Sequence, residues 1–228
     1  MAIAFGASHG GAVAGGASSL SLTSLAIVSD SLILCAIRYN SGSVTVSSLN
    51  LDDGFGGNAQ AFTQIDTYAA LDSSNARVSL WYLANPNNAN TRIIVTNSGA
   101  TDTYMCAAHW TGAATSDIFA DASRVENDTS EPWSITNTSA RDGSWHVGTM
   151  STGNAGLTPG TGSTQRVEQS DNLALYDSNG TVANTVTHTF EASGGSNAGI
   201  VAAMMQVPAA APATTTTEGR DFMIMGAA

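Results

Sequence analysis

The chain contains no lysine. Its seven basic residues are all arginines, spread from Arg38 to Arg220 without clustering, against eighteen Asp and Glu. A nucleic-acid partner requires a basic footprint that displaces phosphate counterions. At a net charge of −11 this chain is repelled instead, which excludes DNA and RNA as partners. Anionic membrane surfaces are disfavoured for the same reason. Charge of either sign is sparse, at 11% of residues, while 43% are hydrophobic, so a disordered, self-repelling chain is excluded too.

Cysteine is nearly missing. Cys35 and Cys106 each sit in an apolar run. Two thiols cannot make a zinc site of the usual kind. Nothing suggests export to an oxidising compartment, so they are read as buried free thiols in preference to a cross-sheet disulfide. No apolar run approaches the roughly 20 residues of a transmembrane helix. The opening MAIAFGASHGGAVAGGASS lacks a basic region and is broken by glycines, unlike a signal peptide. The expectation is a soluble product of cytoplasmic synthesis with no membrane span. HExxH, P-loop, Rossmann and CxxC patterns are missing as well, and no cofactor is expected.

What the chain has is period-2 alternation. From Arg77 to Gly112 it reads RVSLWYLANPNNANTRIIVTNSGATDTYMCAAHWTG. Val78, Leu80 and Tyr82 fall on one face, with Arg77, Ser79, Trp81 and Leu83 on the other. An Asn/Pro cluster follows, then Arg92 to Thr96, a turn at Ser98 to Thr101, and Thr103 to Trp110. This predicts an antiparallel meander with one buried face. No long segment keeps helical period, and 23 glycines with much Ser, Thr and Asn imply many turns, so the class is all-β.

Residues 1–18 are small and glycine-rich and are expected to form a flexible arm. Strands are predicted within Ser19–Ser29, Asp30–Tyr39, Ser43–Leu51 and Ala61–Leu71. Beyond the meander, Ala113 to Asp142 reads as less regular, with a strand starting near Trp133. Further strands are predicted at Trp145–Met150, Gln165–Gln169, Leu173–Tyr176 and Thr185–Glu191. Asn179-Gly180 is a hairpin signal between the last two. Gly199–Val207 is apolar on both faces and is placed centrally. About twelve strands at these spacings suggest a two-sheet β-sandwich, a jelly roll, over residues 19–207. Pro208 to Thr217 is a low-complexity linker. It leads to Phe222, Met223, Ile224 and Met225, an apolar tip expected to dock on the chain's own sandwich or on a partner.

Several motifs compete with plainer readings. Gly6-Ala7-Ser8-His9-Gly10 matches the G-x-S-x-G nucleophile elbow, but that motif works only between an entering strand and a leaving helix. A chance match in a Gly/Ser-rich arm is the reading adopted. His109, His146 and His188 lie in predicted strands and are read as structural histidines bonded to backbone groups, since no nucleophile is in evidence. The acidic stretches at Asp52-Asp53 and from Asp121 to Glu131 offer oxygen ligands for calcium. Neither follows the EF-hand order, and solvated loops are the plainer account. Trp81, opposite the Val78 face, is the candidate for stacking on a sugar.

The Val78 to Gly112 stretch, with its LWYL strand, Asn/Pro turn, RIIVT strand and AAHWTGA ending, resembles a diffuse group of β-sandwich modules. These occur among bacteriophage structural proteins and some bacterial surface proteins. The resemblance runs from Ser19 to the GIVAAMMQV strand. A single acidic sandwich with a small-residue front arm and an apolar-tipped back arm looks like a phage head decoration (cement) protein. The resemblance implies a non-enzymatic, often trimeric module on the virion capsid surface, with the major capsid protein or another virion protein as its partner. It carries over no functional residue. A carbohydrate- or receptor-binding module of a phage tail or cell surface is the alternative. A glycan hydrolase on the same scaffold would need two carboxylates facing across a cleft.

Overall fold

The structure is a computed structural model that describes residues 2–55, 57–69, 76–127, 133–152, 156–170, 172–193 and 198–209. In chain order its strands are β1 (Ala4–Leu22), β2 (Ser31–Asn40), β3 (Val46–Asp52), β4 (Gln60–Ala61), β5 (Thr63–Ala69), β6 (Ala76–Ala84), β7 (Arg92–Thr111), β8 (Phe119–Asn127), β9 (Trp133–Thr138), β10 (Trp145–Ser151), β11 (Thr158–Pro159), β12 (Thr164–Gln169), β13 (Leu173–Asp177), β14 (Thr187–Ser193) and β15 (Ala198–Met205). The all-β expectation holds, and every strand pair is antiparallel. Among the described residues no helix is long and apolar enough to cross a membrane.

The strands form three sheets. Seven of them make a sheet curled into half a barrel, in the order β4-β3-β7-β2-β6-β5, with β1 also paired to β7. Five make the order β12-β13-β10-β15-β8, and three the order β11-β14-β9. β15 is interior to its sheet, as its two apolar faces predicted.

The meander expectation fails. β6 pairs with β2, and β2 lies between β6 and β7. The expected turn at Ser98 to Thr101 is the middle of the 20-residue β7. There β7 changes partner on one side, from β3 at residues 92–97 to β2 at residues 103–111. At both segments β1 fills the remaining edge. The polar residues at the changeover find local partners: Thr45 N donates to Ser98 Oγ at 3.0 Å, and Asn97 Nδ2 donates to Thr103 Oγ1 at 2.7 Å.

The flexible front arm is also corrected, because residues 4–22 are strand β1. Its small residues are needed because the chain passes over bulky neighbours. A Cβ at Gly6 would collide with the His109 ring, and one at Gly11 with the Gln169 side chain. Gly112 has φ of 76° and lies against the Ala2 carbonyl, so a side chain there is excluded twice over.

Three apolar clusters follow from alternation. Leu32, Leu34 and Ala36 of β2, with Val78, Leu80 and Trp110, pack on Val147, Leu173, Leu175 and Val201 of the five-stranded sheet. The other face of β2, with Ile33, Cys35 and Ile37, joins Leu49, Leu51, Ile93, Val95 and Met105 inside the curl of the seven-stranded sheet. Each such Leu or Ile contributes roughly 1.5–3 kcal/mol on burial. A smaller cluster of Ile135, Met150, Leu157, Tyr176 and Ile200 joins the third sheet to the second. Cys35 and Cys106 are free and belong to clusters on opposite faces of the one sheet, so they do not approach as a disulfide. Burial pushes both thiols well up from their ordinary value.

One polar node crosses the main core. The carboxylate of Asp177, with no exposed surface, accepts from Trp110 Nε1 at 2.9 Å, from Arg166 Nε at 2.7 Å and from Asn179 N at 2.9 Å. The Arg166 guanidinium lies 4.4 Å above the Phe5 ring, and Phe5 meets Trp110 edge to face at 5.6 Å. Removing one partner of a buried ion pair strands the other. Asp177→Ala is therefore expected to cost about 3–5 kcal/mol, read as a lowered urea midpoint at unchanged slope. A loss no larger than that of an exposed Asp→Ala substitution contradicts this.

Candidate functional site

The last strands of two sheets, β5 and β8, come together on one side of the molecule. With β6 and the loop at 113–118 they enclose an open groove of about 370 Å³. Its floor is apolar: Ile65, Tyr82, Ile118 and Phe119. Tyr82 and Phe119 meet edge to face at 5.2 Å, a geometry that holds both rings in place. The rim is polar, formed by Thr63, Gln64, Thr115, Ser116 and Asp117. The Asp117 side chain is 83% exposed, and its φ is 47°.

The loop is fixed by the end of β15. Gln206 N donates to Ile118 O and Ala114 N donates to Gln206 O, both at 2.8 Å. Arg141 donates to Val207 O at 3.0 Å, and its other terminal nitrogen is 3.9 Å from Asp117. The last described residues therefore lie beside the groove. Aromatic floor, hydroxyl and amide rim and one exposed carboxylate loosely paired with Arg141 suit a peptide side chain or a sugar ring.

Sequence reasoning missed this groove. It expected a less regular region where β8 runs, and the two walls are far apart in the chain. The Trp81 stacking candidate lies elsewhere. It is half-buried against the curled-sheet core, and its Nε1 donates to Ser79 Oγ at 2.8 Å. Phe222, Met223, Ile224 and Met225 lie outside the described residues.

Asp52, Asp53 and Asp121 of the acidic stretches each have partners within the protein. Asp52 makes a two-pronged pair with Arg92, 2.8 Å on each oxygen, and the Arg92 guanidinium holds its carboxyl below the usual range. Asp53 Oδ1 accepts from the amides of Phe55 and Gly57. Asp121 Oδ2 accepts from Thr138 N. Asp128 and Glu131 lie outside the described residues. Among the described residues no group of three or more His, Cys, Asp and Glu gathers as metal ligands. Ser8 sits within β1, paired opposite Ala108, so no helix follows it and the nucleophile-elbow geometry is missing.

The histidine side chains meet one another in two pairs. His109 Nδ1 lies 3.1 Å from His9 Nε2, with the rings stacked 5.0 Å apart. His146 Nδ1 lies 2.9 Å from His188 Nδ1, with the rings crossed at 89°. His146 Nε2 lies 2.8 Å from Asn137 Oδ1. Because that oxygen accepts, His146 carries its proton on Nε2, and its Nδ1 accepts from the His188 Nδ1–H. Burial, then the neighbouring His109 charge, pushes His9 down to about 4. Burial, then His188, pushes His146 down to about 3. His109 and His188 are lowered by burial. The partners stand 100 and 42 residues apart, so alternation within one strand gives no sign of them. The faint signal is a glycine opposite each pair: Gly6 under His109 and Gly162 against His188.

The groove offers a clean probe. Asp117→Ala, on the exposed rim, is expected to move stability by no more than about 0.5 kcal/mol. Phe119→Ala removes a half-buried ring packed on Tyr82 and lowers it by about 1–3 kcal/mol. Thermal unfolding followed by circular dichroism measures both; an Asp117→Ala loss as large as that of Phe119→Ala means the loop holds the fold. No protein-family model matches the chain, no curated protein matches its sequence, and no solved structure matches its fold.

Proposed function

We propose that this chain is a non-enzymatic virion structural protein, a capsid decoration (cement) protein that binds and stabilises the head lattice from the capsid surface. In this reading the packed seven- and five-stranded sheets form a jelly-roll-like sandwich, and the work is done by contact area. The observation that carries the reading is the chain's exit. Gln206 is held between Ala114 and Ile118 at the edge of an exposed groove. The sequence that follows is a linker ending in Phe222-Met223-Ile224-Met225. A firm body, an exposed groove and an apolar-tipped segment starting beside it are the parts of a module that joins neighbours. Repetition over a lattice supplies avidity, so each contact can be modest. The net charge of −11 keeps free copies apart before assembly.

Deleting Pro208 to Ala228 is expected to leave thermal unfolding of the body unchanged and to abolish attachment to the particle. The measurement is co-sedimentation with undecorated heads, with the major capsid protein as partner. Full occupancy by the truncated chain sinks the reading. Light scattering of the full-length protein is expected to give a trimer.

The groove favours a second reading, a carbohydrate- or receptor-binding module, with the site moved from Trp81 to Tyr82, Phe119 and Asp117. Glycan-array binding abolished by Asp117→Ala and unaffected by Trp81→Ala supports it; no binding to any glycan leaves decoration as the sole reading.

A further inference from the structure

All four histidines of the chain are used in two mutually bonded pairs, and each pair straddles a boundary. His9–His109 joins β1 to β7. His146–His188 joins the five-stranded sheet to the three-stranded one. We propose that the two pairs are acid-sensitive latches: a second proton entering either pair drives its rings apart, freeing β1 from β7 or the three-stranded sheet from β10, while the core between the two larger sheets stays folded.

Each neutral pair shares one hydrogen between two facing nitrogens. One added proton can be absorbed. In the second pair it sits on His146 Nδ1, and His188 moves its own hydrogen to Nε2 and accepts. A second proton leaves two cations with N–H groups pointed at each other across about 3 Å, with one ring of each pair, His109 or His146, buried and its partner half-buried. His109 is 4% exposed and His146 not at all.

Among the described residues, the carboxylates on the neighbouring strands are committed to other partners. Along β1 runs β12, where Arg166 is committed to Asp177 and Glu168 Oε2 accepts from Gln165 Nε2. Around the second pair, Asn137 of β9 and Ser178 beyond β13 are neutral, and Met204 of β15 is the residue paired with His146. Asp177 of β13 serves Arg166 and Trp110, and Asp121 of β8 serves Thr138 N. Gly162 is the contact against His188. Within each pair the neighbouring ionisable group acting on the more buried-shifted ring is its partner.

The sign follows. Folding holds these rings below the ordinary value of 6.5, so their contribution to stability is complete above that pH. It is lost as pH falls toward about 4 for His9 and about 3 for His146.

Hydrogen exchange of the full chain, corrected for intrinsic rates, tests this between neutral pH and about pH 3, the range that takes in both pairs. Amides of β1 and of β14 are expected to lose protection about tenfold more than those of β2 and β13. His9→Gln removes the acid response of β1 and leaves that of β14; His188→Gln does the reverse. Uniform loss in all strands, no loss, or a response unchanged in the variants overturns the proposal. Should a variant fail to fold, ring titrations of the wild-type protein by NMR decide. Two-step, coupled titration of each pair well below 6.5 is expected; four rings titrating independently near 6.5 overturn it.

Discussion

The structure depends on one buried carboxylate. Asp177 takes hydrogen bonds from Trp110 in the central strand of the curled sheet and from Arg166 in the edge strand of the facing sheet. Without it, the indole N–H of a fully buried tryptophan and a guanidinium would be left in an apolar core. The node also fixes the N-terminal strand, because Arg166 presents its face to Phe5 and Phe5 abuts Trp110. Apolar packing alone tolerates sliding of two sheets; a carboxylate with three directed donors specifies their relative position. A buried pair is weak evidence for net stability, but removing one member is costly.

Charge is handled differently at the centre and at the boundaries. The centre uses a buried ion pair between Arg166 and Asp177. The two boundaries use histidine pairs, which in the proposed latch hold one added proton and open at the second. The chain has no lysine; Arg166 is committed to Asp177, Arg92 to Asp52, and the buried Arg38 lies over the Tyr104 ring. The consequence is a body whose middle and margins respond to acid in different ways.

Much of the strand pattern was legible in the sequence. β15 announces itself as a run apolar on both faces and is an interior strand, and β2 lies within the predicted Asp30–Tyr39 strand apart from its last residue. β10, β12 and β13 fall within a residue or two of their alternating segments. β1 was not legible, because its role as a cover over His109 and Gln169 demands glycine, and glycine erases the alternation that marks a strand. The unity of β7 was hidden for a related reason. Ser98 to Thr101 has turn chemistry, yet partners on both sides keep it extended. Asn179-Gly180 does turn the chain, with φ of 49° at Asn179, but β13 and β14 belong to different sheets and are not a hairpin. Local turn signals say where the chain can bend, and tertiary pairing decides whether it does.

The candidate site was less legible than the fold, for a physical reason. Trp81 was singled out because it lies opposite the obvious core face of β6. In a flat one-sided sheet that position is solvent. In a sheet curled on itself the second face is a core too, so Trp81 packs inward and its indole finds Ser79. Curling also decides where exposed aromatic surface survives. It survives where a sheet ends, and β5 and β8 are the ends of two sheets that meet. Tyr82 and Phe119 belong to different sheets and face each other there, so neither segment alone encodes the groove. The same junction anchors Gln206 through Ala114 and Ile118. Curvature thus half-buries Trp81 on the face that alternation left open, and the junction of β5 and β8 forms a groove beside the last described residues.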